Sequence, residues 1–295
     1  MRKVLTMQDA REILLDITAT LKAASIDSPQ QDARLLLGAA LGRDEAVLPH
    51  ESISFGDMEK VLLETLVARR IAREPISRIR GWREFWSLRF ALSSATLDPR
   101  PDSEIIVATA IAAAKAQLVA DPEKQTKLLD LGTGSGCLLL ACLSELPHAT
   151  GLGLDISQDA LTTARDNAKA LGLAGQSHFH QHSFMDDMSH FGAFDIVLCN
   201  PPYIPAAEIT ALEPEVASYE PMRALDGGAD GLDCWRGIMA MVPSCLAADG
   251  CLVLEIGAGQ QDDVIALAEK ANMIFVESHK DLAGIIRCLM FRFKN

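Results

Sequence analysis

The fold prediction starts from the heptapeptide Asp130-Leu131-Gly132-Thr133-Gly134-Ser135-Gly136. It follows an apolar segment that predicts a strand, and it precedes a segment that predicts a helix. Glycines at such a junction let the backbone turn tightly and let a ligand approach it closely. The spacing is G-x-G-x-G, which differs from the G-x-G-x-x-G of a dinucleotide site. By itself, the heptapeptide is also compatible with a purely structural turn.

Segments typical of strands and helices alternate from this turn to the end of the chain. Predicted strands cover Lys127–Asp130, Thr150–Asp155, Ser177–His182, Asp195–Asn200, Cys251–Ile256 and Cys288–Phe293, and predicted helices cover Gly136–Leu146, Gln158–Leu173 and Leu232–Ala247. This alternation predicts an α/β fold with a doubly wound parallel sheet. Such sheets bind their ligands at the carboxyl ends of the strands.

The residues before this region divide into two segments. Residues 1–75 predict a small bundle of amphipathic helices, because Ile13, Ile17 and Leu21, for example, share one helix face. Residues 76–100 predict a β-hairpin linker, on account of the apolar residues between Phe85 and Leu92. Residues 101–295 then make up the predicted α/β domain.

The composition restricts the function classes. The 295 residues carry a formal net charge of -13, which argues against a protein that depends on phosphate contacts. No apolar run approaches the roughly 18–20 residues of a membrane span. The seven cysteines contain no C-x-x-C pair, which indicates reduced thiols and a cytoplasmic protein. We therefore expect neither a membrane nor a nucleic acid as a direct partner, and nothing requires an oligomer.

Arginines are concentrated in one short stretch of the chain. They are Arg69, Arg70, Arg73, Arg78, Arg80, Arg83 and Arg89, opposed only by Glu74 and Glu84. This stretch is either a solvated surface or a docking patch for an acidic or ribonucleoprotein-associated partner.

Two residues near the predicted turn point to a nucleoside ligand. Asp155 ends the next predicted strand, 19 residues after Gly136, and a carboxylate at that place can accept hydrogen bonds from both ribose hydroxyls. Alone, Asp155 would more simply cap the following helix, but the Gly-rich turn favours the ribose. Phe184, just after the third predicted strand, is either a partner for an adenine ring or an ordinary core residue.

The tetrapeptide Asn200-Pro201-Pro202-Tyr203 at the end of the fourth predicted strand supplies the chemistry. The prolines remove backbone donors and stiffen the loop. The side-chain oxygen of Asn200 and the carbonyl of Pro201 are then free to accept both hydrogens of an NH2 group. Tyr203 offers a flat face for a planar substrate. The motif therefore predicts transfer to an amino or amide nitrogen, beside a nucleoside-containing donor.

Three histidines alternate along the third predicted strand, at His178, His180 and His182. Neighbouring positions on one strand make a poor tetrahedral set unless other elements contribute ligands. We therefore predict no metal site.

These motifs resemble those of class I S-adenosylmethionine methyltransferases that act on nitrogen. Further blocks are similar to the peptide chain release factor N(5)-glutamine methyltransferases (the PrmC/HemK family): Gly81–Leu88, Pro99–Glu104, Glu220-Pro221 with Leu225–Gly228, and Leu254–Gly257. The resemblance runs from about Asp32 to the C-terminus. Departures are Asp98 where the family has Ile, Ser103 where it has Thr, Phe184 where Trp is common, and the segment before Arg287, which lacks the usual His-Asp.

The resemblance implies a Rossmann-like methyltransferase sheet with an antiparallel last strand, and S-adenosylmethionine as the cofactor. It implies that the cofactor is bound by Gly132, Thr133, Gly134, Ser135, Gly136, Asp155, Phe184 and Asn200. It also implies that the glutamine of a Gly-Gly-Gln loop in class I release factors is held by Asn200, Pro201, Pro202 and Tyr203, with residues 1–75 as the substrate-docking domain. Asn200, Pro201 and Tyr203 are the expected catalytic residues.

Three alternatives remain open from the sequence. One is methylation of a ribosomal-protein glutamine, and another is methylation of a nucleic-acid amino group, against which the acidic charge argues. The third is a catalytically silent binding module, which the intact motifs disfavour.

Overall fold

Two units make up the part of the chain that this computed structural model describes, residues 6–281 and 283–294. The first unit runs to Gly81 and includes the later segment Pro214–Tyr219, whereas the second runs from Trp82 to Glu213 and resumes at Glu220. The helices are α1 (Ala10–Ala23), α2 (Pro29–Ala40), α3 (Asp57–Ile71), α4 (Ile76–Arg80), α5 (Glu104–Ala120), α6 (Cys137–Glu145), α7 (Gln158–Ala170), α8 (Pro214–Ala217), α9 (Asp233–Met241) and α10 (Gln261–Lys270). The strands are β1 (Thr6–Asp9), β2 (Ser52–Phe55), β3 (Trp82–Phe85), β4 (Leu88–Ala91), β5 (Lys127–Leu131), β6 (Thr150–Asp155), β7 (Ser177–Gln181), β8 (Phe194–Cys199), β9 (Leu246–Glu255), β10 (Met273–Lys280) and β11 (Ile286–Phe293).

The first unit is built around helices α1 to α3. The predicted face of α1 is confirmed in part, because Ile17 and Leu21 are buried, while Ile13 is only partly buried. Asp9 caps the N-terminus of α1, and its carboxylate accepts a hydrogen bond from Arg11 N at 2.9 Å. The short antiparallel pair of β1 and β2 was not predicted for this helical segment.

Three arginines of the predicted cluster, Arg69, Arg70 and Arg73, form ion pairs inside the first unit. Arg70 is buried, and its guanidinium pairs with Asp32 at 2.8 Å and with Glu215 at 3.1 Å. Arg73 reaches the same Glu215 carboxylate at 2.9 Å. Because Arg70 is buried and paired, its guanidinium is not available to a docking surface.

A seven-stranded sheet in the order β10-β11-β9-β8-β5-β6-β7 forms the centre of the second unit. The five strands from β9 to β7 are parallel, and β11 is antiparallel to both of its neighbours. The expectation of a mostly parallel sheet with an antiparallel last strand is thus confirmed. The chain leaves β5 in one direction for β6 and β7 and returns on its other side with β8. The carboxyl ends of the neighbouring strands β5 and β8 are therefore the topological switch point, where such sheets bind ligands.

Apolar residues of the central strands alternate between two cores. Leu128 and Leu198 face a core shared with α5, α6, α7 and the β3–β4 hairpin. Leu129 and Val197 face the opposite core, shared with α9 and α10. Both faces of the sheet are covered, which explains why consecutive residues of β5 and β8, such as Leu128-Leu129 and Val197-Leu198, are apolar.

Some predicted element boundaries were wrong. The helix predicted over Leu232–Ala247 ends at Met241 and is followed by a 3₁₀ turn at Val242–Ser244. Pro243 has no N–H for a further helical bond, so the chain leaves the helix and enters β9 at Leu246. The first residues of the predicted hairpin segment form α4, and α10 and β10 were not predicted.

No helix among residues 6–281 and 283–294 combines the length and the apolarity that a membrane crossing needs.

Candidate cofactor and amide site

A cavity of about 280 Å³ opens at the switch point of the sheet. Its walls come from the turns after β5, β6 and β8, from the segment before α5, and from the loops near β7 and α9. The residues that line it are Ala95, Leu97, Pro99, Arg100, Ser103, Gly132, Thr133, Gly134, Ser135, Cys137, Leu138, Asp155, Ile156, Ser183, Phe184, Met185, Asn200, Pro201, Pro202, Arg223, Ala224, Asp226, Asp233 and Cys234.

The Gly-rich turn forms one wall of the cavity. Gly132, Gly134 and Gly136 have φ angles of 72°, 55° and 81°, a region that favours glycine. The amides of Gly132 and Thr133 both donate to Leu154 O at 2.9 Å, which ties the turn to β6. Gly136 does not line the cavity; it precedes α6, where a Cβ would lie 3.1 Å from Leu140 Cδ1. This last glycine therefore permits close packing of α6.

Asp155 lies at the end of β6 and lines the cavity, as its predicted role requires. Its Oδ2 accepts from Gly134 N at 2.9 Å, and its Oδ1 accepts from Ser157 N at 2.8 Å. The cap of α7 is Ser157, whose hydroxyl accepts from Ala160 N, so Asp155 does not serve as that cap. A carboxylate has about four acceptor positions, and two remain for hydroxyl groups of a ligand.

Asp130, beneath the turn, is a buried acid that the sequence analysis did not assign to the site. Thr133 Oγ1 donates to its Oδ2 at 2.6 Å, while its Oδ1 has no hydrogen-bond partner. Burial raises the pKa of Asp130 to about 7, against the opposing hydrogen bond from Thr133. Ser135 Oγ is a second buried oxygen without a partner, and Ser135 lines the cavity. Asp130 itself does not line the cavity, so only the unpaired oxygen of Ser135 favours a polar ligand there.

The position of Phe184 is compatible with both roles that the sequence left open. It lines the cavity, and it also packs against the core on the α9 side of the sheet. Its ring lies beside the turn, since a Cβ on Gly132 would be 3.5 Å from Phe184 Cε1. A flat ligand at this wall would contact the ring.

Only the first three residues of the tetrapeptide after β8 reach the cavity. Asn200, Pro201 and Pro202 line the cavity, whereas Tyr203 does not. The Tyr203 hydroxyl instead donates to Glu255 Oε1 at 3.1 Å. Burial raises the pKa of Tyr203, which keeps this hydroxyl protonated as a donor.

Glu255, at the end of β9, gathers three donors around one buried carboxylate. Besides Tyr203, its Oε2 accepts from Asn200 Nδ2 at 2.9 Å and from Ser103 Oγ at 2.5 Å. Glu255 belongs to the Leu254–Gly257 block of the family resemblance, but the sequence alone predicted no role for it. The departure of Ser103 from Thr is explained here, because either residue supplies the hydroxyl.

The backbone after the tetrapeptide is held by the block around Gly227. Ile204 N donates to Leu225 O at 3.0 Å, and Gly227 N donates to Ile204 O at 2.8 Å. A Cβ on Gly227 would lie 2.8 Å from Tyr203 Cα, so only glycine fits. This contact explains why the Leu225–Gly228 block accompanies the tetrapeptide.

The segment before α5 contributes an ionic residue to the cavity wall, Arg100, to which the sequence assigned no individual role. Arg100 lines the cavity and pairs with the buried carboxylate of Glu220 at 3.4 Å. The other Glu220 oxygen accepts from Asp98 N at 3.1 Å. Asp98, the departure from Ile, is buried and pairs with Arg83 at 3.4 Å. These groups fix the segment that carries Arg100 into the cavity.

The positions of the histidines and the pKa values of the cavity thiols bear on metal binding and reactivity at this site. No group of His, Cys, Asp and Glu within the described ranges could hold a metal ion. Of the three histidines, His182 lies beyond the end of β7. Burial raises the pKa of Cys137 to about 12 and that of Cys234 to about 11, so both cavity thiols stay protonated. Neutral thiols are poor nucleophiles.

Family models match both units of the chain. The model described as the PrmC N-terminal domain matches residues 12–81, and the model described as the methyltransferase small domain matches residues 108–213. Together these matches cover more than half of the 295 residues.

Curated relatives align over nearly the whole chain. The release factor glutamine methyltransferase of Rhodospirillum rubrum is 46% identical over 92% of this chain and 81% of its own length. That of Bradyrhizobium diazoefficiens is 42% identical over 97% of this chain and 95% of its own length. Among solved structures, the hMettl16 catalytic domain in complex with a 3'UTR hairpin superposes with a TM-score of 0.54 at 14% identity, covering 85% of this chain and 87% of that one. The structural likeness supports the fold alone.

Proposed function

This chain belongs to the release factor glutamine methyltransferase family, and on that premise we propose that it methylates the side-chain amide nitrogen of a release-factor glutamine, using S-adenosylmethionine. The glutamine would be that of the Gly-Gly-Gln motif in class I peptide release factors. One observation carries the proposal: the turn after β5, Asp155 after β6 and Asn200–Pro202 after β8 line one cavity. A methyl donor bound at the turn would then lie beside an NH2 group held by Asn200 and Pro201.

The cavity suits the cofactor in its chemistry. Asp155 retains acceptor positions for ribose hydroxyls, and Phe184 offers a ring for the adenine. The unpaired oxygen of Ser135, which lines the cavity, suits the polar end of an amino acid. When bound, S-adenosylmethionine supplies a methyl group activated by its sulfonium. We assign cofactor binding to Gly132, Thr133, Gly134, Ser135, Asp155, Phe184 and Asn200, which line the cavity. Gly136 supports the turn by permitting the close packing of α6, and Asp130 supports it through its hydrogen bond with Thr133.

Asn200 and Pro201 hold and polarise the acceptor. A carboxamide nitrogen is a weak nucleophile, because its lone pair is conjugated with the carbonyl. Asn200 Oδ1 and Pro201 O would each accept one N–H of the glutamine amide, which directs the nitrogen and stabilises the positive charge that develops on it. A proton then leaves to water. Pro202 stiffens the loop, and Tyr203 supports it from behind.

The same acceptors give selectivity. A substrate carboxylate or hydroxyl would leave one or both buried acceptors without a donor, which costs about 1–3 kcal/mol for each lost partner. The site therefore favours glutamine over glutamate.

Methyl transfer measured on several substrates in parallel tests the proposal. Tritiated S-adenosylmethionine would be incubated with purified release factor, with the factor carrying Glu in place of the motif glutamine, with ribosomal proteins and with DNA. We expect label in the intact factor alone, and about 10²–10³-fold slower turnover for Asn200→Ala. Label that persists in the Glu-containing factor, or that enters only ribosomal proteins or DNA, would refute the assignment.

A short Gly-Gly-Gln peptide, as a further substrate, addresses the helical unit. We propose that residues 1–75 dock the release factor away from its glutamine. The peptide should then show a higher KM than the intact factor at a similar kcat. Equal KM values would contradict this docking role.

A further inference from the structure

The amide of Asn200 has two chemically different ends, and only one of them can serve the reaction. Its carbonyl oxygen accepts hydrogen bonds, whereas its NH2 group donates them. A rotation of about 180° about the last side-chain bond exchanges the two ends with little change in shape. With the NH2 group facing the cavity, Asn200 would oppose the N–H groups of an amide substrate instead of accepting them.

The carboxylate of Glu255 distinguishes the two orientations. It is 3% exposed, and an ionised carboxylate only accepts hydrogen bonds. Asn200 Nδ2 lies 2.9 Å from Glu255 Oε2, so the NH2 end is turned toward β9. The opposite orientation would place Asn200 Oδ1 against a buried negative charge. The oxygen is thereby left for the cavity, which Asn200 lines.

Two further donors hold the carboxylate in place. Ser103 Oγ, from the segment before α5, donates to Oε2 at 2.5 Å, and Tyr203 OH donates to Oε1 at 3.1 Å. The bond from Tyr203 also fixes the far end of the tetrapeptide. One side chain of β9 therefore holds both the first and the last residue of the substrate-binding motif.

We propose that Glu255 is a positioning residue that makes the site accept an NH2 group: it orients Asn200 so that Oδ1 faces the substrate, and it anchors Tyr203. Glu255 itself does not line the cavity, and it acts through Asn200. This inference rests on the proposed acceptor role of Asn200. It also accounts for Tyr203, whose place in the motif is to support the loop.

The ionisation of Glu255 links this arrangement to pH. Burial raises the pKa of Glu255, partly offset by the hydrogen bonds from Ser103 and Tyr203 and by the charge of Arg287, while the charge of Asp102 raises it further. A glutamic acid protonates as the pH falls through its raised pKa. One of its oxygens then becomes a donor and competes with Asn200 Nδ2. Turnover measured at saturating cofactor should therefore fall on the acid side.

The test compares Glu255→Gln with Asp195→Asn. Asp195 is also a buried carboxylate of the same sheet, where its Oδ2 accepts from Lys127 N at 2.8 Å, but it does not line the cavity. We expect Glu255→Gln to lower kcat about 10–100-fold, because a hydrogen bond to a charged group is lost, with the cofactor Kd within twofold of the wild type. Asp195→Asn should keep the wild-type kcat. A kcat unchanged in Glu255→Gln would overturn the proposal.

A double-mutant cycle separates positioning from a general structural effect. If Glu255 acts through Asn200, Glu255→Gln should cost little further turnover in an Asn200→Ala background. Independent, additive losses would contradict the proposal.

The acid limb of kcat needs no variant of Glu255. It should be present in the wild type and absent from the residual turnover of Asn200→Ala, so it decides the matter even if Glu255→Gln fails to fold. An acid limb retained in Asn200→Ala would overturn the proposal. The wild-type rate on release factor reports separately on the proposed function; if label enters another substrate, the same ratios are measured on that substrate.

Discussion

At Asp155, each carboxylate oxygen already accepts one backbone hydrogen bond, from Gly134 N and from Ser157 N. These bonds aim the carboxylate into the cavity and join the Gly-rich turn to the start of α7. A ligand hydroxyl would find the carboxylate already oriented and would not have to order it. Preorganisation of this kind raises affinity because less entropy is lost on binding.

Replacing Asp155 with Ala should therefore weaken cofactor binding. We expect the Kd of S-adenosylmethionine to rise about 10–100-fold, from the loss of charge-assisted hydrogen bonds. Titration calorimetry measures this change, and Asp159→Ala, an exposed acid in the first turn of α7, is the matched control. A normal Kd for Asp155→Ala would contradict the ribose assignment.

Individual residues of the site differ in how far the sequence could predict them. Asp155 and Asn200 were predictable, because each directly follows a recognisable strand and parallel strands end at one edge. The role of Glu255 was not, because its partners Ser103, Asn200 and Tyr203 lie 152, 55 and 52 residues away. Hydrogen bonds between distant segments leave no local pattern in a single sequence.

At the scale of elements, α7 connects two other parts of the second unit. Asn167, fully buried on this helix, donates to Ala91 O at 3.1 Å and to Ser135 O at 2.9 Å. Its Oδ1 accepts from Ala91 N at 2.8 Å. The side chain thus pairs with strand β4 as a neighbouring strand would, and at the same time fixes a carbonyl of the Gly-rich turn.

Asn167→Ala should affect both stability and cofactor binding. Three backbone groups, Ala91 N, Ala91 O and the buried Ser135 O, would lose their partner, and we expect the unfolding free energy to fall by about 2 kcal/mol. The cofactor Kd should rise as well, because the turn at Ser135 is released. Denaturant unfolding and calorimetry measure the two effects, with Lys169→Ala on the exposed side of α7 as the control. Stability loss without any change in Kd would argue against a link to the turn.

Elements with strong periodicity were predicted better than those shaped by tertiary contacts. Strands β5, β6 and β8 are apolar runs beside turn motifs, and their positions were nearly correct. The β1–β2 pair consists of two four-residue strands with 42 residues between them. No local sequence pattern predicts that such distant segments pair. The edge strand β10 carries exposed apolar residues at Ile274, Phe275 and Val276 and lacks the alternation that marks a strand.

For the whole molecule, the two-sided burial of the sheet sets the electrostatics of its centre. Asp130 lies on the central strand β5 and is only 1% exposed. Burial raises its pKa to about 7, and the nearby charge of Asp155 adds to the effect. The charged form of Asp130 therefore lowers the stability of the folded chain.

This effect predicts a pH-dependent stability that Asp130→Asn removes. Between the ordinary value of 3.8 and about 7, the folded chain binds more protons at Asp130 than the unfolded chain. The unfolding free energy of the wild type should then decrease as the pH rises through this window, by at most about 1.4 kcal/mol per pH unit. The variant lacks this contribution, while that of Glu255 is common to both proteins and cancels in the difference. Denaturant unfolding at pH 5, 6, 7 and 8, without cofactor, should show the variant gaining stability relative to the wild type as the pH rises. A difference that stays constant across this range would mean that Asp130 does not titrate in the folded protein within it.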